Sequence, residues 1–239
     1  MKSQQLAYSN GKTHFVGYLA WDDSREGKRP GVIVFPEAFG LGEHAREKAN
    51  RLAQAGYIAL AADLHGGGFV HKDLASVRPV IQGLYANRAE WRSIATAAYD
   101  ALLAQPLVDS NRVGAIGFCF GGTTCLELAR TGGANVRAIA TFHSGLNVGL
   151  PEDAGRMQSK VLVCHGSEDP LVSQESIDAF MAEMRREKID WQFIYLGNAV
   201  HSFSEPAADE RGSPQFAYSK TAEARGWAAM THLFNETFG

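Results

Sequence analysis

Nowhere in the 239 residues does an apolar run approach the ~18 residues that a membrane-spanning helix needs, so no such helix is expected. The opening MKSQQLAYSNGKTHFVGYLAW has a single early lysine and no apolar core of signal-peptide length, which makes the cytoplasm the expected location. Cysteine is scarce: Cys119, Cys125 and Cys164 are an odd number, and no two stand in a C-x-x-C spacing. That argues against a disulfide framework and a structural zinc site, and no metal or organic cofactor is implied. Charge of one sign is lacking too, with a formal net charge of −3 and 21% charged residues. Neither a basic footprint for nucleic acid nor an acidic tail for a cationic partner is present, so the expected partner is a small molecule. Internal repeats, low-complexity tracts and linkers rich in Pro, Gly or Ser are absent, and residues 1–239 read as one domain.

What the sequence does have is alternation. Short apolar runs at Gly31 to Phe35, Tyr57 to Ala61, Val113 to Gly117, Val136 to Ala140, Val161 to Cys164 and Trp191 to Leu196 suit strands buried on both faces. Between them, Glu43 to Ala55, Trp91 to Gln105, Gly121 to Arg130, Ser173 to Lys188 and Tyr218 to Phe238 carry apolar residues at helical spacing. Phe15 to Trp21 is expected as an antiparallel edge strand. The fold class is therefore α/β, with a mostly parallel central sheet of about seven or eight strands and helices on both faces. Residues 66–90 interrupt the rhythm and are expected to form a lid or rim over the site, since long excursions in such folds carry function.

The decisive local pattern runs from Val113 through Gly117-Phe118-Cys119-Phe120-Gly121-Gly122, a buried strand passing through G-x-C-x-G into a helix. This is the nucleophile-elbow pattern with cysteine where serine is usual. Glycines are needed because the nucleophile sits in a strained turn, where side chains two residues to either side would strike the neighbouring strand and helix. The helix that follows aims its N-terminus at Cys119, favouring a thiolate and a developing oxyanion, with the Phe120 amide as one donor. The bland alternative is a small buried residue in a tight turn. Cys125, in the apolar pattern of a helix, and Cys164, inside a strand, are expected to be plain core.

In an α/β-hydrolase the chain order is nucleophile, acid, base, with the acid after a late strand and the histidine after the last one. Asp169 follows Val161 to Gly166, and His201 follows Trp191 to Leu196, both at the carboxyl edge where open α/β sheets bind ligands. Glu168 competes with Asp169; the residue before Pro170 is preferred. His143 and His165 also end strands, and are expected to be structural, His143 as a candidate pocket wall.

Phe35-Pro36-Glu37-Ala38-Phe39-Gly40, Gly117-Phe118-Cys119-Phe120-Gly121-Gly122, His165-Gly166-Ser167-Glu168-Asp169-Pro170 and His201-Ser202-Phe203 together resemble the dienelactone hydrolase family over nearly the whole chain. The resemblance implies a hydrolase of small esters or lactones in which Cys119, Asp169 and His201 form the triad. It further implies that Glu37 helps to ionise the thiol and that the Ala38 and Phe120 amides form the oxyanion hole. Phe39, His143 and Arg88 are the candidate substrate-binding residues. One departure stands out: Glu205 occupies the position, four after His201, where the family carries an arginine that binds the substrate carboxylate and restrains the glutamate. Arg211, Arg78 or Arg88 are the candidates to supply that charge. The competing readings are a general carboxylesterase or thioesterase acting on small uncharged esters, and a catalytically silent relic of the fold that binds a ligand.

Overall fold

The computed structural model describes residues 1–239. Eight strands make one sheet in the order β1-β2-β4-β3-β5-β6-β7-β8. From β4 (Ile58–Ala61) through β3 (Arg29–Phe35), β5 (Val108–Phe118), β6 (Ala138–Phe142) and β7 (Lys160–Gly166) to β8 (Trp191–Leu196), all neighbours run parallel. β2 (His14–Trp21) is antiparallel to β4, as expected, but it is not the edge. That position belongs to β1 (Lys2–Ser9), which pairs with β2 along its full length and was not foreseen, because its residues are mostly exposed and polar. Such a strand carries no buried period for a sequence to display.

The two-residue period of β3 divides the core. Ile33 and Phe35 belong to the core on the side of α3 (Arg88–Leu103), α4 (Phe120–Arg130) and α5 (Gln174–Arg186), which also holds Ile94, Leu102, Leu126, Phe180 and Met184. Val32 and Val34 belong to the core on the side of α1 (Glu43–Gln54) and α6 (Lys220–Phe238), which also holds Ala49, Leu52, Trp227, Met230 and Phe234. Helices thus cover both faces, as the alternation implied. Cys125 joins the first core and Cys164 the second, both fully buried. Burial pushes the Cys125 thiol far up and that of Cys164 up to about 12, which leaves both as apolar packing groups.

Residues 66–90 contain α2 (Leu74–Ala86), whose N-cap Asp73 accepts from the Ser76 amide at 2.8 Å. Most of α2 is exposed, and only Val77 and Leu84 are buried. No helix is long and apolar enough to cross a membrane.

Candidate active site

β5 ends at Phe118 and α4 begins at Phe120, so Cys119 alone forms the turn between them. Its φ of 52° and ψ of −119° are costly for a residue with a side chain. Close packing enforces that geometry. A Cβ on Gly117 would collide with the backbone of Gly121, one on Gly121 with the carbonyls of Phe35 and Pro36, and one on Gly122 with Ser144. The Cys119 amide donates to the Phe142 carbonyl at 3.0 Å, tying the turn to β6. Of the three thiols, that of Cys119 alone is partly exposed, and it caps the positive end of α4.

The base loop comes to the same edge. His201 Nδ1 lies 2.8 Å from Asp169 Oδ2, and Asp169 Oδ1 accepts from the Leu171 amide at 2.9 Å. Asp169 is buried whereas Glu168 is exposed, which separates the two acids that the sequence left in competition. With Nδ1 held by a carboxylate, Nε2 is left to face Cys119, and it has no other partner in the protein. Burial pushes the His201 imidazole down, but the charge on Cys119 and the bond to Asp169 outweigh it and carry its pKa up to about 10. The Ala38 and Phe120 N–H groups, the candidate oxyanion donors, donate to no backbone carbonyl outside the regular elements. The loop carrying Ala38 is held from below by His65, whose Nε2 donates to the Ala38 carbonyl at 2.7 Å.

Glu37 lies in this loop too, but its carboxylate is engaged by a residue that the sequence reading missed. Oε1 lies 2.5 Å from Nδ1 of His44, on the first turn of α1, and both side chains are buried. His44 Nε2 donates to the Ser204 carbonyl at 2.8 Å, so it carries a proton. A neutral ring would then turn a bare Nδ1 lone pair toward the carboxylate, and the stable arrangement is imidazolium against carboxylate. Burial pushes His44 down and Glu37 up, yet each outweighs that for the other: His44 ends above and Glu37 below its ordinary value. No hydrogen bond joins Glu37 to Cys119.

The arginine expected four residues after His201 is replaced in space as well as in sequence. Glu205 is ion-paired with Arg211, whose Nη1 also donates to Ser202 Oγ at 2.9 Å and whose guanidinium lies 5.4 Å from the Phe39 ring centre. Burial first, and then Glu37, push the Glu205 carboxyl up. A cavity of about 360 Å³ opens beside this group, lined by Glu37, Phe39, His44 and Glu205 and also by Glu43 and Glu47. His44 and Arg211 are the nearby cations, so acids outnumber them.

His143 is fully buried, with its ring centre 5.2 Å from that of His201 and its Nε2 2.8 Å from Ser204 Oγ. Burial, reinforced by His201, His44 and Arg211, pushes its pKa far down, so it packs as a neutral wall. Arg88 departs from expectation. Its Nη1 donates to the Val148 carbonyl at 2.9 Å and lies 3.5 Å from Glu127 Oε1, within a buried network that includes Arg92, Arg130 and Asp153. Arg88 is thus engaged by Val148 and Glu127, and Arg78 is exposed on α2. From the same segment the sequence reading missed Tyr85, whose ring packs on Trp91 and Phe120 and whose hydroxyl is pushed up to about 12 by burial and by the neighbouring Cys119. No group of three or more His, Cys, Asp and Glu side chains converges in a way that could hold a metal ion.

Residues 15–238 match the dienelactone hydrolase family. A dienelactone hydrolase-like promiscuous phosphotriesterase from metagenomic libraries is 57% identical, with a TM-score of 0.97 over 100% of this chain and 99% of its own. A carboxymethylenebutenolidase-like protein of Escherichia coli (strain K12) is 29% identical over 232 residues, covering 93% of this chain and 82% of that protein. At 17% identity, the dienelactone hydrolase of Anabaena variabilis shares the fold, with a TM-score of 0.70 over 100% of this chain and 99% of its own.

Proposed function

The chain belongs to the dienelactone hydrolase family, hydrolases of ester or lactone type, and from that premise we propose that it cleaves small uncharged esters or lactones with Cys119 as nucleophile. The observation that carries the reading is the 2.8 Å His201–Asp169 contact, with the free Nε2 of His201 turned to Cys119 at its strained turn. The Cys119 thiolate attacks the carbonyl carbon, and the Ala38 and Phe120 amides take up the charge that moves to oxygen. As the tetrahedral intermediate collapses, the carbon–oxygen bond to the leaving group breaks and the alkoxide takes the proton of His201. A thioester remains on Cys119. His201 then removes a proton from water, the hydroxide attacks the thioester, and the acid departs as the thiolate is restored. Asp169 keeps the imidazole in the productive tautomer throughout. Glu37 would take part in forming the thiolate only by leaving His44. The chain acts as one domain, in which residues 66–90 form a rim that brings Tyr85 to the site.

Glu37 stands next to Ala38 and Glu205 stands four residues after His201, and these two acids on the loops that carry the site favour neutral substrates over a carboxylated lactone. A second reading extends the substrate range to uncharged phosphotriesters, supported by the 57% identical relative described as a promiscuous phosphotriesterase. The test is hydrolysis of a short p-nitrophenyl ester, a carboxylated dienelactone and a neutral phosphotriester by the wild type and by Cys119→Ala. Turnover of the neutral ester that disappears in the variant is expected, whereas equal rates in the two proteins would remove Cys119 from the reaction.

A further inference from the structure

The opposite edge of the sheet carries a second cavity, of about 400 Å³. It opens where the parallel strands begin: Arg29 starts β3, Arg112 lies early in β5, Tyr57 precedes β4, and Phe234 and Phe238 close one side from α6. Arg29 is only 7% exposed. Its Nη1 donates to the Asp22 carbonyl at 2.7 Å, but Nε and Nη2 are buried without any acceptor. Those two N–H groups share one edge of the guanidinium, the fork that holds two oxygens of a carboxylate or phosphate side by side.

The charges around the fork are already assigned. Arg25 is paired with Asp22 at 3.1 Å and Arg112 with Asp109 at 2.8 Å. Lys28, exposed on the loop before β3, has no carboxylate partner, and Glu26 is the one acidic side chain on the lining. Asp22 acts on Arg29 through space but no carboxylate forms an ion pair with it, and a buried guanidinium edge left without an acceptor is costly and calls for one. The cavity exceeds a bare oxyanion and falls in the size range of small-ligand pockets, with aromatic rings on one wall.

We propose that this cavity is a binding site, separate from Cys119, for a small oxyanion on an apolar or aromatic body. Its carboxylate or phosphate meets the Arg29 fork and Lys28, and its body packs on Tyr57, Phe234 and Phe238. Because the fork nitrogens are closed to solvent, binding includes a side-chain shift at the cavity floor.

Isothermal titration of the full chain at constant ionic strength, with phenyl phosphate and benzoate as probes, tests this. Saturable one-site binding is expected, weakened about tenfold or more in Arg29→Lys, which keeps the charge and loses the fork. Lys28→Gln should weaken it by about threefold or more while leaving hydrolysis of a neutral ester unchanged. Binding of phenyl phosphate alone assigns the site to phosphorylated ligands, and binding of benzoate alone to carboxylates. If Arg29→Lys fails to fold, Lys28→Gln decides. No saturable binding of either probe by the wild type, or unchanged affinity in every variant that folds, overturns the proposal.

Discussion

Replacing Asp169 with asparagine keeps the volume of the side chain and removes its charge. In the wild type the carboxylate lies 2.8 Å from His201 Nδ1, and both side chains are buried. At that spacing, and with an effective dielectric of about 20, a full imidazolium–carboxylate attraction is about 6 kcal/mol. Part of it already acts on the resting imidazole, whose pKa is raised by Cys119 and by Asp169, and part is recovered through the amide, so the loss at the transition state is smaller. A fall in kcat of roughly 10³- to 10⁴-fold, equivalent to about 4 to 5.5 kcal/mol, is expected, with little change in KM. The same substitution removes one of the influences that raise His201. An imidazole raised in the folded chain from 6.5 to about 10 stabilises the fold below pH 6.5 and loses that contribution as pH rises toward 10. Between these limits, the fall in thermal midpoint with pH should be shallower in Asp169→Asn than in the wild type. Steady-state kinetics on a p-nitrophenyl ester and melting curves across that range are the assays. A variant within tenfold of the wild-type kcat, or one altered only in KM, would refute the role given to Asp169.

His44→Gln leaves the Glu37 carboxylate buried without its cation and should cost about 3–5 kcal/mol by urea denaturation, most of it recovered when Glu37→Gln is added. Additive losses in that double-mutant cycle would mean that the two side chains are not coupled. Tyr85→Phe removes the hydroxyl neighbouring Cys119 and should preserve the circular dichroism spectrum and lower kcat/KM by about threefold to tenfold, the worth of one hydrogen bond from that hydroxyl to a bound ester; an unchanged value for every ester tested would leave Tyr85 as packing alone. Glu205→Gln should raise kcat/KM for a carboxylated lactone severalfold relative to a neutral ester, since it removes a negative charge from the loop that carries His201 and frees Arg211 from its ion pair. An unaltered ratio in competition assays would show that Glu205 does not set the charge preference.

The sheet, its parallel run and the helices on both faces were legible because strands such as Val32 to Phe35 are buried on both sides and leave an unbroken apolar signature. β1 was not, since an exposed strand at an edge is specified by its pairing with β2 rather than by its own residues. Within the candidate site, the strained turn at Cys119 was readable from its glycines, and the approach of His201 to Asp169 from their positions after strands. The partner of Glu37 was invisible: His44 is one of eight histidines, lies on an amphipathic helix, and acquires its role only when α1 packs against the loop after β8. The charge logic around Glu205 was half legible. Its own presence could be read, whereas the pairing with Arg211 depends on how the 206–211 turn folds back. The pairing of Arg88 was hidden for the same reason, because nothing local announces a buried acceptor such as Glu127.

The claim on which the account rests is that Cys119 carries the acyl group. Rapid quenching of wild-type protein with p-nitrophenyl acetate in acid, followed by peptide mass mapping, tests it directly. An acetyl group is expected on the peptide containing Cys119, formed as fast as nitrophenol is released and absent from Cys119→Ala. Turnover with no acetyl group at Cys119, or with one on another residue that persists in the variant, would contradict it.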